Sequence, residues 1–473
     1  MEIPWIRRLH LAVALALGAG GALGAAERPN FLFILSDDQG FQDLAVQGSS
    51  EIPTPHIDSL ARQGVRCTQA YVSAPMCSPS RAGLLTGRSQ SRFGHEINWE
   101  GRDSTGRKGL PIAERTIAEY LRAAGYRTGC VGKWHLGDAP QFHPRRRGFE
   151  QYFGHLGGSH DYFRAKGDRG ASYALEGWDG KPFEFEDGYL TEINAQAATE
   201  FIHRHRAEPW FLYLAFNAPH TPTQATRKYL ERFAHVKEEP RRTYCAMVSA
   251  LDDAVGRLLA QLRADGLEEK TFICLLSDNG GPLERNGSSN TPLTGEKGHL
   301  YEGGIRVPFL VQWKAALPAG RRYDRPVSSL DLSATALALA GVAPDPARPL
   351  DGVNLLPFLR GEQGSDPHDV LFWRMKARRI WAVRKGDWKL LSAHGWHDVP
   401  SSVATPRLIQ LANDPAERQD VSAQFPEKLA ELRAAYVVWE AGLPEPLWGP
   451  DDSPEAAENR QNRTQRRAEK ARK

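Results

Sequence analysis

Between residues 28 and 342, short apolar runs alternate with stretches of helical periodicity, and no other feature of this sequence limits the fold as strongly. Residues 31–36 (FLFILS) form a near-continuous apolar run, which is typical of a strand that is buried on both faces. This alternation predicts an α/β protein in which helices cover both faces of a large, mostly parallel sheet. Further strands are predicted at residues 128–131, 211–216, 271–277 and 307–312, and helices at residues 55–63, 116–124, 194–206 and 244–264.

The two ends of the chain differ from this main domain, to which we assign residues 27–365. Residues 1–26 combine Arg7 and Arg8 with a short apolar stretch and small residues at 24–26, a pattern that predicts a cleaved signal peptide. Residues 366–450 predict a small C-terminal α+β domain with an antiparallel sheet: two strands joined by a Lys-Gly-Asp turn lie within 380–391, and a helix spans 425–442. Residues 451–473 are charged, lack an apolar period and predict a disordered tail.

Composition excludes several classes of protein. The 60 Lys and Arg residues against 57 Asp and Glu give a net charge of +3, which argues against a nucleic-acid partner. Five cysteines without a C-x-x-C pair argue against a disulfide scaffold and a structural zinc site, and Cys130 and Cys274 lie in apolar runs that predict buried thiols. Beyond the signal peptide, no stretch approaches 18 apolar residues. We therefore expect an exported protein, periplasmic or secreted, without stable membrane insertion after signal cleavage.

Two predicted strands end in similar polar sequences. Asp37 and Asp38 follow the first strand, and Asp278 and Asn279 follow a strand roughly 240 residues later. Side chains at such strand ends converge on the ligand-binding edge of a parallel sheet, and adjacent carboxylates are costly unless a cation neutralises them. The four groups are hard oxygen donors, which suit Ca²⁺ or Mg²⁺ and not zinc. The alternative is that each pair caps a turn.

A cysteine stands beside a predicted helix start. Cys77 precedes Ser78 and Pro79, which mark the beginning of a helix, and Arg81 falls on its first turn. Helix N-termini lower the pKa of thiols and hold anions, so a nucleophilic thiol with an anion-binding arginine fits this pattern. An ordinary loop cysteine before a helix fits it equally well.

The motif Cys-x-Pro-x-Arg at 77–81, continued by Leu-Thr-Gly at 85–87, resembles the signature of the type I, formylglycine-dependent sulfatases. The resemblance covers about residues 28–440 and implies an alkaline-phosphatase-like sulfatase fold. The C-terminal part departs from the family's Tyr-Asp-Leu before an Asp-Pro turn, since Ile409, Gln410 and Leu411 stand there. Five further motifs occur in the family's order: Asp-Asp-Gln-Gly at 37–40, Gly-Lys-Trp-His-Leu-Gly at 132–137, Ala-Pro-His at 218–220, Ser-Asp-Asn-Gly-Gly at 277–281 and Lys-Gly-x-x-Tyr-Glu-Gly-Gly at 297–304.

The resemblance implies a set of catalytic roles. A formylglycine-generating or maturase enzyme would oxidise Cys77 to Cα-formylglycine, and the hydrated aldehyde would attack sulfur. His220 or Lys297 would protonate the leaving alcohol, and His135 would assist the elimination that expels sulfate. From the chemistry alone, cations stabilise the charge that develops on a sulfuryl group, which suits the lysines of these motifs. The implied catalytic residues are Cys77, Arg81, Lys133, His135, His220 and Lys297, and the implied ligands of one calcium ion are Asp37, Asp38, Asp278 and Asn279.

The substrate is expected to be a carbohydrate sulfate monoester, on galactose or N-acetylgalactosamine, because the chain looks most like arylsulfatases and N-acetylgalactosamine-6-sulfatases. Loops between the shared motifs supply the candidate substrate-binding residues, and four such loops predict a closed pocket that removes sulfate from terminal sugars. The substrate-binding candidates are His95, Trp99, His160, Asp161, Arg164 and His299, with Trp388, Trp396 and His397 as a possible rim.

Three other functions stay open at this stage. One is an arylsulfatase of broad specificity, and another is a phosphatase or phosphodiesterase of the same superfold. A phosphatase or phosphodiesterase of this superfold would use Ser or Thr as nucleophile and bind two metals through extra His and Asp ligands. Cys77 and the lysines of the shared motifs argue against that alternative. The third is a non-catalytic protein that binds sulfated glycans, and it expects catalytic residues to be missing.

Overall fold

The computed structural model describes residues 28–99, 106–165, 174–393 and 405–449, so the predicted signal peptide and C-terminal tail lie outside the described residues. Within these ranges, no helix is long and apolar enough to cross a membrane. The strands are β1 (Asn30–Ser36), β2 (Val65–Cys67), β3 (Ala70–Tyr71), β4 (Arg127–Lys133), β5 (Gln151–His155), β6 (Trp210–Ala215), β7 (Thr271–Ser277), β8 (Phe309–Gln312), β9 (Arg321–Tyr323), β10 (Val327–Ser328), β11 (Leu371–Met375), β12 (Ile380–Lys385), β13 (Trp388–Ser392) and β14 (Arg407–Gln410). The helices are α1 (Pro55–Arg62), α2 (Cys77–Thr86), α3 (Ile117–Ala123), α4 (Leu190–Arg204), α5 (Arg227–Arg232), α6 (Glu239–Ala264), α7 (Glu302–Ile305), α8 (Asp331–Leu339), α9 (Leu356–Arg360) and α10 (Pro426–Ala441).

The main sheet has eight strands in the order β5-β4-β6-β1-β7-β8-β2-β9. β1 lies near its centre and pairs in parallel with both β6 and β7, and β8 alone runs antiparallel to its two neighbours. The expected large, mostly parallel sheet is confirmed, although the antiparallel strand makes it a mixed one.

Side chains of the central strand alternate between two hydrophobic cores. Leu32 and Ile34 pack with α4 and α6 on one face, whereas Phe31, Phe33 and Leu35 pack with α2, α3 and α8 on the other. Both faces of β1 are therefore apolar, which is why its sequence reads as a continuous hydrophobic run. Cys130 and Cys274 lie in the second core as buried free thiols, as predicted.

The predicted elements are present with shifted ends. The helices expected at 194–206 and 244–264 begin earlier, at Leu190 and Glu239, and the strand expected from 307 begins at Phe309. Three short strands of the main sheet, β2, β5 and β9, were not predicted, because runs of three to five residues give little periodic signal.

The C-terminal part forms an antiparallel sheet, as predicted, and the sheet has four strands, β11-β12-β13-β14, of which the sequence indicated β12 and β13. Helix α10 packs on one face of this sheet, where Trp381 stacks on Tyr436 with ring centroids 4.1 Å apart. The opposite face contacts the main domain: Trp373 Nε1 donates to the carbonyl oxygen of Val72 over 2.8 Å. This contact lies next to the start of α2, so the C-terminal sheet supports the region where the site forms.

Candidate active site

The carboxyl ends of β1 and β7 bring the predicted metal ligands together. Asn279 Nδ2 donates to Asp38 Oδ1 over 2.6 Å, and the backbone N–H of Asp38 lies 3.3 Å from Asp278 Oδ1. These residues and Asp37 are all buried, and Asn279 Oδ1 has no hydrogen-bond partner in the part of the chain that the structure describes. Three carboxylates and an unpaired amide oxygen are donors that Ca²⁺ prefers, so the residues present fit that ion.

Two cations form the floor of the site beneath these carboxylates. Arg81 donates from Nε to Asp278 Oδ2 over 2.9 Å, and Lys133 Nζ lies 2.5 Å from Asp37 Oδ2. All four side chains are fully buried. Burial and the neighbouring Asp278 raise the pKa of Asp37 against the opposing effect of Lys133. Burial alone would also raise the pKa of Asp278, but Arg81 and Lys133 together lower it. The floor therefore concentrates both carboxylate and cationic charge out of contact with water.

Lys297 and His220 lie at the mouth of the site, where their side chains keep 12% and 13% of their exposure, against 0% for the floor residues. Lys297 Nζ is 2.7 Å from Asp38 Oδ1, and His220 Nε2 is 3.5 Å from Asp38 Oδ2. Although burial alone would raise the pKa of Asp38, Lys297 and His220 lower it. Burial lowers the pKa of His220, with Asp37 and Asp38 opposing it. Both groups are thus more exposed than Arg81 and Lys133.

Cys77 is the first residue of α2, which follows the N-cap Met76. The expectation that it precedes the helix, with Arg81 on the first turn, is corrected: the helix starts one residue earlier, and Arg81 lies on its second turn. Pro79 is tolerated there because the first turn needs no backbone N–H donors. Cys77 Sγ is 3.5 Å from Asp37 Oδ1, directly above the predicted metal ligands.

His135 lies on the other side of the floor. Its backbone is left-handed, with φ of 58°, and its ring packs against Trp99 with centroids 5.8 Å apart. Burial lowers the pKa of His135 well below its ordinary value, and the charges of Lys133 and Arg81 lower it further. Burial and these neighbouring charges therefore favour the neutral form of the imidazole.

Two of the predicted substrate-binding residues contact neighbours of the predicted catalytic groups. His95 is fully buried, with Nε2 2.7 Å from Ser78 Oγ and its ring against Trp448. Burial lowers the pKa of His95 to about 3. Trp99 is also buried and donates from Nε1 to the carbonyl oxygen of His135 over 3.1 Å. In this geometry the two residues support Ser78 and His135.

The loop containing His160 and Asp161 borders the site. His160 is buried next to His155, with ring centroids 5.0 Å apart. Asp161 accepts hydrogen bonds from the backbone N–H of Phe163 over 2.8 Å and from Gln224 Nε2 over 2.9 Å. Each carboxylate oxygen of Asp161 thus already accepts one hydrogen bond, one from its own loop and one from Gln224, and each keeps a lone pair for a further donor.

The remaining predicted substrate residues differ in location. Arg164 is exposed, and His299 is partly buried two residues from Lys297. Trp388 packs edge-on against Phe425 in the C-terminal part, with ring centroids 4.8 Å apart, and belongs to the cluster under α10. Trp396 and His397 lie outside the described residues.

The sequence did not single out Tyr162, which the structure places beside the site. Its hydroxyl lies 2.7 Å from the carbonyl oxygen of Asn217 and 2.9 Å from that of His220, and the side chain is fully buried. It therefore holds the loop that carries His220. A tyrosine following the Gly-Gly-Ser-His-Asp segment was the available signal, but nothing in the sequence indicated its partners.

Comparison with known proteins agrees with this geometry. A family model described as Sulfatase matches residues 29–342, and one described as N-sulphoglucosamine sulphohydrolase, C-terminal, matches residues 295–435. The chain belongs to the sulfatase family, whose members are sulfuric ester hydrolases, as its motifs predicted. The family generally uses Ca²⁺ and formylglycine.

Among individual proteins, the chain is similar to the N-acetylgalactosamine-6-sulfatase of Sus scrofa, with 33% identity over 91% of this chain and 89% of the relative. It is also similar to arylsulfatase J of Mus musculus, with 32% identity over 87% of this chain and 75% of the relative. A solved structure described as "Crystal structure of Ps i-CgsB in complex with k-i-k-neocarrahexaose" has a TM-score of 0.83 and 36% identity, and covers 89% of this chain and 95% of that chain.

Proposed function

We propose that the protein hydrolyses a sulfate monoester on a carbohydrate, with Cys77 converted to formylglycine and one calcium ion held by Asp37, Asp38, Asp278 and Asn279. The observation that carries this proposal is the position of Cys77: its Sγ lies 3.5 Å from Asp37 Oδ1, within a buried set of three carboxylates and three cations. Hydration of the aldehyde supplies one hydroxyl for attack on sulfur and a second for release of sulfate. Calcium, when bound, supplies a fixed positive charge that stabilises negative charge on the sulfuryl oxygens.

The residues around Cys77 have separate tasks. Arg81 and Lys133 are buried at the floor and orient the charged sulfuryl group, because their cationic groups cannot move away into solvent. His220 Nε2 and Lys297 Nζ are the two groups at the mouth that can protonate the leaving alcohol oxygen, and alanine variants of each separate their contributions. His135 is assigned to accept the proton whose removal allows sulfate to leave.

The similarity to N-acetylgalactosamine-6-sulfatases and to Ps i-CgsB supports a sulfated galactose or N-acetylgalactosamine as the substrate class. We further propose that sulfate is removed from a terminal sugar, because the loops between the shared motifs are predicted to form a pocket closed at one end. We also propose that the protein is exported to the periplasm or secreted, which its predicted N-terminal signal supports, and that a formylglycine-generating enzyme acts on it.

Protein produced together with a formylglycine-generating enzyme tests this function. The expected result is sulfate release from sulfated galactose or N-acetylgalactosamine oligosaccharides, slower release from aryl sulfates, and no comparable release from the matching phosphate esters. Cys77→Ala serves as the control, and mass spectrometry of the peptide that contains residue 77 measures the modified fraction. Full activity in protein whose Cys77 remains an alkylatable thiol would overturn the proposed nucleophile, and preferred hydrolysis of phosphate esters would favour the phosphatase alternative.

A further inference from the structure

The loop that carries Lys297 is held at both ends by two consecutive residues of the C-terminal part. Thr294 donates from Oγ1 to the carbonyl oxygen of Ala416, and the backbone N–H of Glu302 donates to Glu417 Oε2 over 2.5 Å. The two ends also meet each other, since the backbone N–H of Gly303 donates to the carbonyl oxygen of Thr294 over 2.7 Å. The position of the loop that contains Lys297 therefore depends on residues more than 100 positions further along the chain.

A buried ion triad, composed of Glu302, Lys389 and Glu417, lies at the C-terminal end of this loop. Lys389 Nζ is 2.9 Å from Glu302 Oε1 and 2.8 Å from Glu417 Oε1, and all three side chains are fully buried. Tyr71 donates to Glu302 Oε2 over 2.6 Å, and Arg384 donates to the Tyr71 hydroxyl. The triad thus joins the C-terminal sheet to the helix start that follows the Lys297 loop.

The buried ion triad contributes little net stability to the fold. Charges removed from water regain little more than their desolvation cost, and well-packed apolar residues often do better. Burial raises the pKa of Glu417 to about 7, although Lys389 opposes this. Glu417 also has a left-handed backbone, with φ of 55°, which non-glycine residues adopt at a cost and which is concentrated at functional sites. Such features indicate that the position of these charges matters.

The same short helix also contacts the predicted metal site. The backbone N–H of Gly280 donates to the carbonyl oxygen of Gly304 over 3.0 Å, directly after Asn279. A Cβ atom at Gly280 would approach the carbonyl oxygen of Gly303 to 1.8 Å. The backbones of the two segments are therefore packed too closely to accept a side chain at this position. Within the loop, the backbone N–H of Gly298 donates to the carbonyl oxygen of Pro75 over 2.8 Å, two residues before Cys77. Because these segments are in direct contact, a displacement of the loop ends would also displace Lys297.

We propose that Glu417, acting with Lys389, is a positioning residue that fixes Lys297 at the mouth of the active site. This inference rests on the proposed function, in which Lys297 meets the leaving group of the substrate. The role belongs to the C-terminal part of the chain, whose described residues, 366–393 and 405–449, contribute none to the floor of the site. The C-terminal family match begins at residue 295, so it includes the Lys297 loop together with the C-terminal strands, as a shared unit requires.

Glu417→Gln tests this role with almost no change in volume. Both carboxylate oxygens of Glu417 face donor groups, since Oε1 forms an ion pair with Lys389 Nζ and Oε2 accepts a hydrogen bond from the backbone N–H of Glu302, so a glutamine must turn its NH₂ group toward one of these donors. Because Glu417→Gln loses a hydrogen bond to a charged group, we expect its kcat on a small aryl sulfate to fall about ten- to a hundred-fold. Its KM should change less than about three-fold. Thr294→Val removes the bond at the other, exposed end of the loop without disturbing buried charge, and predicts a smaller fall in kcat.

The matched control is Asp252→Asn. Asp252 is also a buried carboxylate and also accepts hydrogen bonds from backbone N–H groups, those of His56 and Ile57, but it lies on α6 against α1. This variant is expected to lose stability while keeping kcat within about two-fold of the original enzyme. A Glu417→Gln variant that behaves like Asp252→Asn would show that Glu417 only supports the fold.

A double variant identifies the route of the effect. If Glu417 acts through Lys297, Glu417→Gln should lower kcat by less than about three-fold once Lys297→Ala is present, because the group it positions is already gone. An equal loss in both backgrounds would overturn the inference. Hydrogen exchange of the peptide that spans residues 294–302 gives a readout independent of activity: Glu417→Gln should accelerate it and Asp252→Asn should not. An inactive original enzyme would defeat the proposed function, whereas unchanged exchange in Glu417→Gln would defeat the positioning role.

Discussion

Gly158→Ala offers a sharp test of the role of His135. A Cβ atom added at Gly158 would lie 2.6 Å from Nε2 and 2.8 Å from Cε1 of the His135 ring. The backbone at Gly158 is not left-handed, so alanine fits the main chain and the conflict falls on the imidazole alone. To reach an ordinary contact of 3.4 Å, the two groups must separate by at least about 0.8 Å. Trp99 packs on the imidazole and limits how it can turn aside.

A displacement of that size is large for a proton-transfer group. A misplacement of about 1 Å lowers catalytic rates on the order of a hundred-fold. His135 is assigned to the release of sulfate and not to the first bond cleavage, so the loss should fall on the second half of the reaction. In rapid-mixing experiments with an aryl sulfate, we expect a burst of about one phenol per modified active site, followed by turnover about a hundred-fold slower than that of the original enzyme.

Gly364→Ala is the control for this prediction, because nothing lies within 4 Å of the added Cβ atom. It should leave both the burst and the steady rate unchanged. A Gly158→Ala enzyme that turns over slowly without a burst would mean that His135 acts before the alcohol leaves. Unchanged turnover would mean that the ring position does not matter, and the assignment of His135 would be wrong.

Three further results are expected. Asp278→Asn removes the carboxylate that pairs with Arg81 at 2.8 Å, so calcium affinity measured by titration calorimetry should fall together with kcat, and denaturant unfolding should show a loss of about 3–5 kcal/mol. Exhaustive chelation should abolish activity and added Ca²⁺ should restore it, whereas full activity of verified metal-free protein would contradict the calcium assignment. His155→Phe should flatten the acid side of the stability profile, measured by urea unfolding at pH 7.5 and 5: burial lowers the pKa of His155 well below its ordinary value, so the unfolded chain binds the extra proton and the original protein loses up to about 1.4 kcal/mol per pH unit below pH 6.5. If His155→Phe shows the same loss of stability at acid pH as the original protein, His155 does not contribute to that loss.

The sequence predicted best where burial leaves a continuous signal. β1 and β7 are enclosed on both faces, so their five central side chains are all apolar, and the polar residues that follow mark the site. Short strands such as β5 carry mixed residues and depend on their neighbours for pairing, so they give no comparable pattern. The start of α2 was misplaced because Ser78 and Pro79 resemble a helix start whether they stand before the helix or within its first turn.

The residues of the candidate site also differ in how well the sequence predicted them. Residues in recognisable motifs, such as Lys133 and Lys297, were found because the motif itself identified them. Glu417 was missed because its partner Glu302 lies 115 residues away, and nothing periodic links the two positions. His95 and Trp99 were expected to contact the substrate, but the structure bonds them to Ser78 and to the backbone of His135. A residue's loop can be located from sequence, whereas the direction of its side chain is set by packing.

The strand order also has a consequence for biogenesis. β1 pairs with β6 and β7, so the centre of the sheet cannot form until Phe211 and Phe272, which pair with Phe31, have been synthesised. At about 5–20 residues per second, roughly 10–40 s separate the synthesis of Cys77 from that of Ser277. Once the sheet closes, Cys77 is fully enclosed, so the proposed formylglycine-generating enzyme would have to reach it within this interval or during the proposed export. Under the proposed function, the fraction of active enzyme would depend on the relative rates of modification and folding, and faster translation should yield more protein with less activity per molecule.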